Sequence, residues 1–306
     1  MRTPPPERRP QFGTSPTLFR LPPGTRCGRV RLQVSDLSRS IDYYASVIGL
    51  RPSTLGERSA ALHAADDVLP LVELYEKPGI SPVPRRGAYG LYHFAILLPT
   101  RADLGRFVAH LGDLSVRAGS ADHHVSEALY LHDPDGLGIE VYADRPASTW
   151  PVRDGELVMA ADPLNVAELV RAGGGQRWTH APSGTRVGHV HLHVGDLGLS
   201  ERFYHLALGL DKTMWSYPSA LFLAADGYHH HLGTNTWSPG PSARDDQARL
   251  LEWELVIPSG AAPLAAQRIR DAGWAAEPTS DGWLTADPWG TRLRLVGHET
   301  PTAPTP

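Results

Sequence analysis

The sequence predicts an α+β protein assembled from four β-α-β-β-β modules. Three observations lead there. The segment GTRCGRVRLQVSDLSRSIDYYASVIGL (24–50) returns at an offset of 160 residues as GTRVGHVHLHVGDLGLSERFYHLALGL (184–210), with thirteen of twenty-seven positions identical, far beyond chance for ungapped segments. Two further segments, opening at LYHFAILLP (91–99) and LLEWELVIP (250–258), repeat the order of strand, helix and short strands. The modules they open end on turns of one kind, in SEALYLHDPDGLGIEVYAD (126–144) and LTADPWGTRLRLVG (284–297).

Each element has a local reason. VRLQV alternates apolar and polar residues as a half-buried strand does, Asp36 is placed to cap the helix after it, and LSRSIDYYASVIGL carries apolar residues at helical spacing up to a stop at Gly49. AALHAADD and LPLVELYEK read as short strands separated by turn residues. In the second module a helix is expected over 101–112, followed by two strands hinged on Asp-Pro-Asp-Gly. The expected division is a disordered lead over 1–23, a first two-module domain over 24–145, a linker over 146–183 with Trp150, Trp178 and several Pro and Gly, a second two-module domain over 184–298, and a disordered tail over 299–306.

Composition narrows the function classes. With 306 residues, 41% hydrophobic and 20% charged, the chain is long enough for two cores and ordinary for a soluble protein. A net charge of −4 and the absence of Lys/Arg runs beyond pairs such as Arg85-Arg86 argue against nucleic-acid binding. No apolar stretch long enough for a signal peptide or membrane span occurs in the lead, and the single Cys27 excludes an intrachain disulfide, so a cytoplasmic protein without a membrane partner is expected. An assembly of identical copies is left open.

The two copies of the repeat diverge where chemistry would sit. Strand side chains alternate, so His189, His191 and His193 share one face; the first copy has Arg29, Arg31 and Gln33 there. Further along, His229, His230 and His231 replace Leu69, Pro70 and Leu71, which concentrates six of fifteen histidines in one copy.

The pattern GHVHLHVGDL…SERFYHLALGL, with DPDGLGIEVY, resembles the vicinal-oxygen-chelate superfamily, which includes glyoxalases, bleomycin resistance proteins and dioxygenases. YHFAILLP, VSEALYLHDPDGLGIEVYADRP and ADGYHHHLGTNTW are most similar to its catechol 2,3-dioxygenase-like, type I extradiol members. The resemblance implies that modules pair into curved eight-stranded sheets around one divalent metal, Fe(II) above all, with Mn(II) or another ion as alternatives. It also implies a ring-cleaving dioxygenase acting on a catechol- or hydroquinone-like substrate with dioxygen, in aromatic catabolism or a biosynthetic route. A glyoxalase-type isomerase or lyase, or a non-catalytic small-molecule binder, is the alternative.

Carried over residue by residue, the family's first-strand ligand positions fall on Arg29, His93, His189 and Glu252, and its last-strand positions on Leu71, Glu140, His231 and Arg294. Pairing the second module with the third collects His93, Glu140 and His189, two imidazoles and one carboxylate, while Arg29, Glu252 and Arg294 fall in a second, metal-free cup. Two such ligand types on one side of an octahedral ion leave room for a bidentate diol and dioxygen. His231, or its oppositely pointing neighbour His230, is a further ligand or a substrate contact. The acid–base histidine that such chemistry needs is sought among His191, His193, His229, His123 and His124. Tyr142, Tyr228 and Trp237 are candidates to line an aromatic pocket together with His230, although a packed core selects aromatics at such positions too.

Overall fold

The computed structural model describes residues 10–84 and 87–298. The first module comprises β1 (Arg26–Val34), α1 (Leu37–Tyr43) with a π-helical turn at Tyr44–Ile48, β2 (Arg51–Gly56), β3 (Ser59–His63) and β4 (Val72–Glu76). The second comprises β5 (Gly90–Leu97), α2 (Arg101–Asp113), β6 (Gly119–Asp122), β7 (Ser126–His132) and β8 (Gly138–Asp144). A connection holds the small hairpin β9 (Val152–Arg153) and β10 (Glu156–Leu157) and helix α3 (Val166–Ala172). The third module is β11 (Arg186–His193), α4 (Leu197–Ser200) with a π-helical turn at Glu201–Ala207, β12 (Asp211–Met214), β13 (Ala220–Ala224) and β14 (Leu232–Asn235). The fourth is β15 (Arg249–Pro258), α5 (Ala262–Asp271), β16 (Ala276–Thr279), β17 (Gly282–Ala286) and β18 (Arg292–His298).

These strands form two eight-stranded sheets, ordered β16-β17-β18-β15-β1-β4-β3-β2 and β12-β13-β14-β11-β5-β8-β7-β6. Modules one and four therefore make one sheet and modules two and three the other. The tandem segments 24–145 and 184–298 divide the sequence but not the sheets, since each sheet takes one module from either side of the connection. At the centre of each sheet the first strands of two modules run antiparallel, β1 against β15 and β5 against β11. Each first strand is flanked on its other side by the parallel last strand of its own module.

Strand alternation then sorts the faces. Val30, Leu32 and Val34 of β1, Val190 and Leu192 of β11 and Val194 just after it are fully buried in one continuous core that also holds Phe94, Phe107, Trp253 and Leu255. The opposite faces of the same strands carry Arg29, Arg31 and Gln33 in one sheet and His189, His191 and His193 in the other. Asp36 and Asp196 cap their helices by accepting the backbone N–H of Arg39 (2.9 Å) and Leu199 (2.6 Å).

The repeated tyrosines join the two sheets. Tyr44, in the first, donates to Asp133 of the Asp-Pro-Asp-Gly turn in the second (3.3 Å); Tyr204, in the second, donates to Asp287 in the first (2.9 Å). Each aspartate also accepts two backbone N–H groups of its own turn. Burial pushes the Asp133 carboxyl up to about 7, against those hydrogen bonds and with help from nearby Asp135. A carboxyl raised above its unfolded value of about 3.9 holds its proton in the folded state, so its contribution is full below about pH 4 and is lost as pH rises through 7. Asp133→Asn is expected to abolish this slope, which is at most about 1.4 kcal/mol per pH unit. Urea unfolding of both proteins at pH 5 and pH 8 checks it: the variant should gain on wild type at the higher pH, and a pH-independent difference refutes the assignment.

The lead, expected to be disordered, and the expected linker are both packed. Residues 10–23 are held against the body: Leu21 is buried, Arg20 makes a bidentate ion pair with Asp211 (2.6 and 2.9 Å), and Thr14 exchanges backbone hydrogen bonds with Lys212. The connection over 146–183 is likewise packed, with Leu169 of α3 fully buried and Trp150, Leu157 and Met159 forming a second core cluster with Met214 and Phe222, against which Phe12 packs. Charge and proline suggested disorder in the lead, and Pro and Gly a linker over 146–183; apolar side chains spaced between them supply the anchorage. The remaining expected disorder, over 1–9 and 299–306, lies outside the described residues.

Candidate metal centre and substrate cavity

The second sheet brings His93 of β5, Glu140 of β8 and His189 of β11 together, with one ligand atom of each within 4.8 Å of the others. All three are buried: His93 is 5%, Glu140 2% and His189 1% exposed. The arrangement follows from register. Ala95 pairs with Glu140 on one side and with His189 on the other, so the two first strands and the last strand of module two direct side chains into one cup.

His189 Nε2 lies 3.1 Å and His93 Nε2 3.0 Å from the same carboxylate oxygen, Oε2 of Glu140. His93 Nε2 approaches off the line that a hydrogen bond requires and has no hydrogen-bond partner among the described residues, despite its burial. Only His189 is hydrogen-bonded to that oxygen, and the His93 nitrogen beside it is left without a partner. Two neutral imidazoles and one carboxylate this close together are a donor set for a divalent cation. The electrostatics agree: burial lowers both histidines, which favours the neutral, ligating form. Burial alone would raise Glu140, but His189 and His93 hold it well below the usual carboxylate range.

A cavity of about 290 Å³ opens onto these residues. Its wall includes His191, His230, Trp237, Tyr92, Tyr130 and Phe222, with Met159, Ala160 and Ala161 contributed by the connection between the halves. His123 also lines it. Its Nδ1 lies 2.5 Å from the Ala160 carbonyl, which can only accept, so that nitrogen carries a proton, and Nε2 lies 2.5 Å from Tyr130 Oη.

The other sequence candidates fall in different places. His191 and His193 flank Asn235, which contacts His191 Nε2 at 3.0 Å and His193 Nδ1 at 2.7 Å; only His191 lines the cavity. His229 is fully buried behind the wall, between Asp144 (2.8 Å) and His230 (2.7 Å). His124 is directed outward to Asp162 (2.8 Å). Of the aromatic candidates, Trp237 and His230 line the cavity. Tyr142 and Tyr228 do not: their hydroxyls meet at 2.6 Å, and the Tyr142 ring backs His189 while filling the space that Gly188 leaves, where a Cβ would lie 1.8 Å from the hydroxyl.

His231 is separate from the cluster; its Nδ1 accepts from the Ala225 backbone N–H at 3.1 Å and its ring faces Tyr228. The strand register explains this correction. Relative to Ala95↔Glu140, the equivalent pairs are His191↔Gly233, Arg31↔Glu73 and Glu254↔Arg294. The last-strand positions of modules three and one are therefore Gly233 and Glu73, two residues beyond His231 and Leu71.

In the other sheet those positions build an ion network. Arg29 pairs with Glu73 (2.6 Å) and Glu254 (2.8 Å), Arg31 with Glu73 (2.8 Å), Glu252 and Glu254 (3.0 Å), and Arg294 with Glu252 (2.6 Å). Arg294 also pairs with Asp281 (2.7 Å) and Arg292 lies 3.9 Å from Glu252, so four guanidiniums face four carboxylates and charge balances with no cation. Glu252 bridges Arg31 and Arg294.

Comparison with known proteins agrees with this architecture. Residues 26–141 match the model of the "Glyoxalase/Bleomycin resistance protein/Dioxygenase superfamily". The catechol-2,3-dioxygenase of Bacillus subtilis (strain 168) is 41% identical over 269 residues, spanning 86% of this chain and 94% of that one. The chain belongs to this superfamily. Among solved structures, superfamily-type folds recur at low identity: a putative dioxygenase of Bacillus subtilis subsp. subtilis str. 168 superposes with a TM-score of 0.61 at 12% identity, over 91% of this chain and 86% of the other. Glyoxalase I of Zea mays gives 0.52 at 17%, over 90% and 92%. These two show the shared fold. As a superfamily member the chain has one cup with a metal-type donor set and one closed by ion pairs.

Proposed function

We propose that the protein is an Fe(II)-dependent extradiol dioxygenase that opens a catechol- or hydroquinone-like ring, with His93, Glu140 and His189 holding the metal. The observation that carries the reading is the convergence of two imidazoles and one carboxylate at the floor of an aromatic-walled cavity; the 41% identity to a catechol-2,3-dioxygenase supports the same chemistry. When bound there, the ion supplies Lewis acidity toward the diol and one-electron exchange with dioxygen. In the overall reaction both oxygen atoms enter the product and one ring C–C bond at the diol breaks.

The chain's own residues supply the rest. Glu140 offsets the positive charge of the centre in surroundings that burial has stripped of water. Tyr92, Tyr130, Phe222 and Trp237 offer ring faces and edges that orient a planar substrate. His123, with a proton fixed toward Ala160, holds the Tyr130 hydroxyl at its other nitrogen and so orders it beside Glu140, its neighbour across the strand pair. A glyoxalase-type centre needs a second carboxylate; among the described residues none joins the cluster.

The test is direct. Protein loaded anaerobically with Fe(II) is expected to bind one iron per chain and to consume one dioxygen per catechol, with a yellow ring-opened product. No oxygen uptake across a panel of catechols and hydroquinones, at full iron occupancy, would sink the proposal. No helix among the described residues is long and apolar enough to cross a membrane.

A further inference from the structure

We propose that Asn235 is a positioning residue that fixes the proton of His191 on Nδ1, so that His191 meets the molecule in the cavity as a hydrogen-bond donor. Only the identity of that molecule rests on the dioxygenase reading.

The proton assignment follows from one backbone group. The N–H of Trp237 lies 3.0 Å from the side-chain oxygen of Asn235, and because a peptide N–H can only donate, that atom is the carbonyl oxygen. The other terminal atom of Asn235 is then the amide nitrogen, which can only donate. It lies 3.0 Å from Nε2 of His191, which must accept; the neutral ring therefore has its proton on Nδ1. The same Asn235 oxygen accepts from Nδ1 of His193 at 2.7 Å, so a single amide orders two imidazoles.

Packing holds His191 in this seat. A Cβ on Gly233 would come within 2.9 Å of both Cγ and Cδ2 of the ring, so the imidazole occupies space that any other residue there would fill. Tyr92, Trp237 and Phe222 surround it, with ring centroids 5.3, 5.4 and 5.6 Å away. The ring lines the cavity, with its Nε2 engaged by Asn235. Asn235 is itself fully buried. The fold does not demand it: at the 160-residue offset the other sheet carries Tyr75, and Glu73 where this one has Gly233. Asn235, Gly233 and His191 thus form a set peculiar to the sheet with the metal-type cluster. A donor held at that place is suited to a ligand oxygen that gains negative charge during reaction.

The test separates the tautomer from the activity. Full-length protein labelled with 15N-histidine is examined by NMR metal-free and with diamagnetic zinc(II), and the His191 signals are assigned by their loss in His191→Gln. Wild type is expected to show a protonated Nδ1 and an unprotonated Nε2. Asn235→Asp keeps acceptors for Trp237 and His193 but cannot donate, so the proton should move to Nε2. With Fe(II), kcat of that variant should fall about a hundredfold, in the range for one misplaced acid–base group, while KM for catechol moves less than about threefold. A protonated Nε2 in wild type overturns the proposal without need of any variant, as does an unchanged His191 spectrum in Asn235→Asp. A shifted proton with unaltered turnover overturns the positioning role. Absence of oxygen uptake by wild type would instead count against the dioxygenase reading, with the tautomer result standing apart from it.

Discussion

Glu140→Gln is expected to leave the chain folded and to strip it of its metal. Loss of a mere hydrogen-bonding neighbour of a metal ligand weakens binding roughly 10–100-fold, and loss of the only anionic ligand should exceed that, leaving under about a tenth of wild-type iron after gel filtration. Oxygen uptake should fall at least in proportion. Stability should move the other way. Without metal, Glu140 is a buried carboxylate between two imidazoles that burial keeps neutral, and a glutamine carbonyl can still accept from His189 at no cost in buried charge. The metal-free variant is therefore expected to melt at or above the temperature of metal-free wild type. Retained iron would remove Glu140 from the ligand set; a lower metal-free melting temperature would show that the carboxylate is a structural partner.

Glu252→Gln in the other cup should do the opposite, lowering stability and sparing the metal. Glu252 is 4% exposed and is shared by Arg31 and Arg294, with Arg292 3.9 Å away, so its neutralisation leaves four guanidiniums against three carboxylates. Removing one partner from a buried ion pair costs about 3–5 kcal/mol; the arginines here keep 14–15% of their side-chain exposure, which shifts the expectation to about 2–4 kcal/mol. Melting temperature should drop by roughly 5–10 °C at about 2–3 °C per kcal/mol. Iron content and kcat should stay within twofold. A variant that keeps its melting temperature but loses iron would place the functional centre in the wrong sheet.

Much of this arrangement was legible in the residues, and what was not has physical reasons. The alternation of Val190, Leu192 and Val194 with His189, His191 and His193 separated core from cup, because a strand offers no third direction. The crossed pairing of modules followed from where two imidazoles and a carboxylate could meet. The last-strand positions in modules one and three were missed by two residues because His229–His231 and Leu69–Leu71 precede their strands, in irregular chain to which strand alternation does not apply. Facing was equally unreadable for Tyr142, whose position behind His189 depends on the gap at Gly188. The contribution of Met159 and Ala160 to the cavity wall depends on how the connection folds back, and no periodicity in residues 146–183 encodes that. His123 could be noticed only as one of many histidines; the Ala160 carbonyl that orders it belongs to a segment 37 residues away.

The exchange of modules between sheets also dictates an order of events during synthesis. His93 and Glu140 emerge from the ribosome well before His189, and the strand next to β5 is supplied by the second half of the chain. The first half alone holds one module of each sheet, each lacking the antiparallel partner of its central strand. Such open edges pair with whatever strand arrives, including those of another nascent chain. With the proposed ligand set, metal capture by all three residues would wait until β11 has been made, and the ion would then arrive as a late clasp across two halves that were translated apart. Two separately expressed halves, cut within the connection, should consequently bind iron only when mixed.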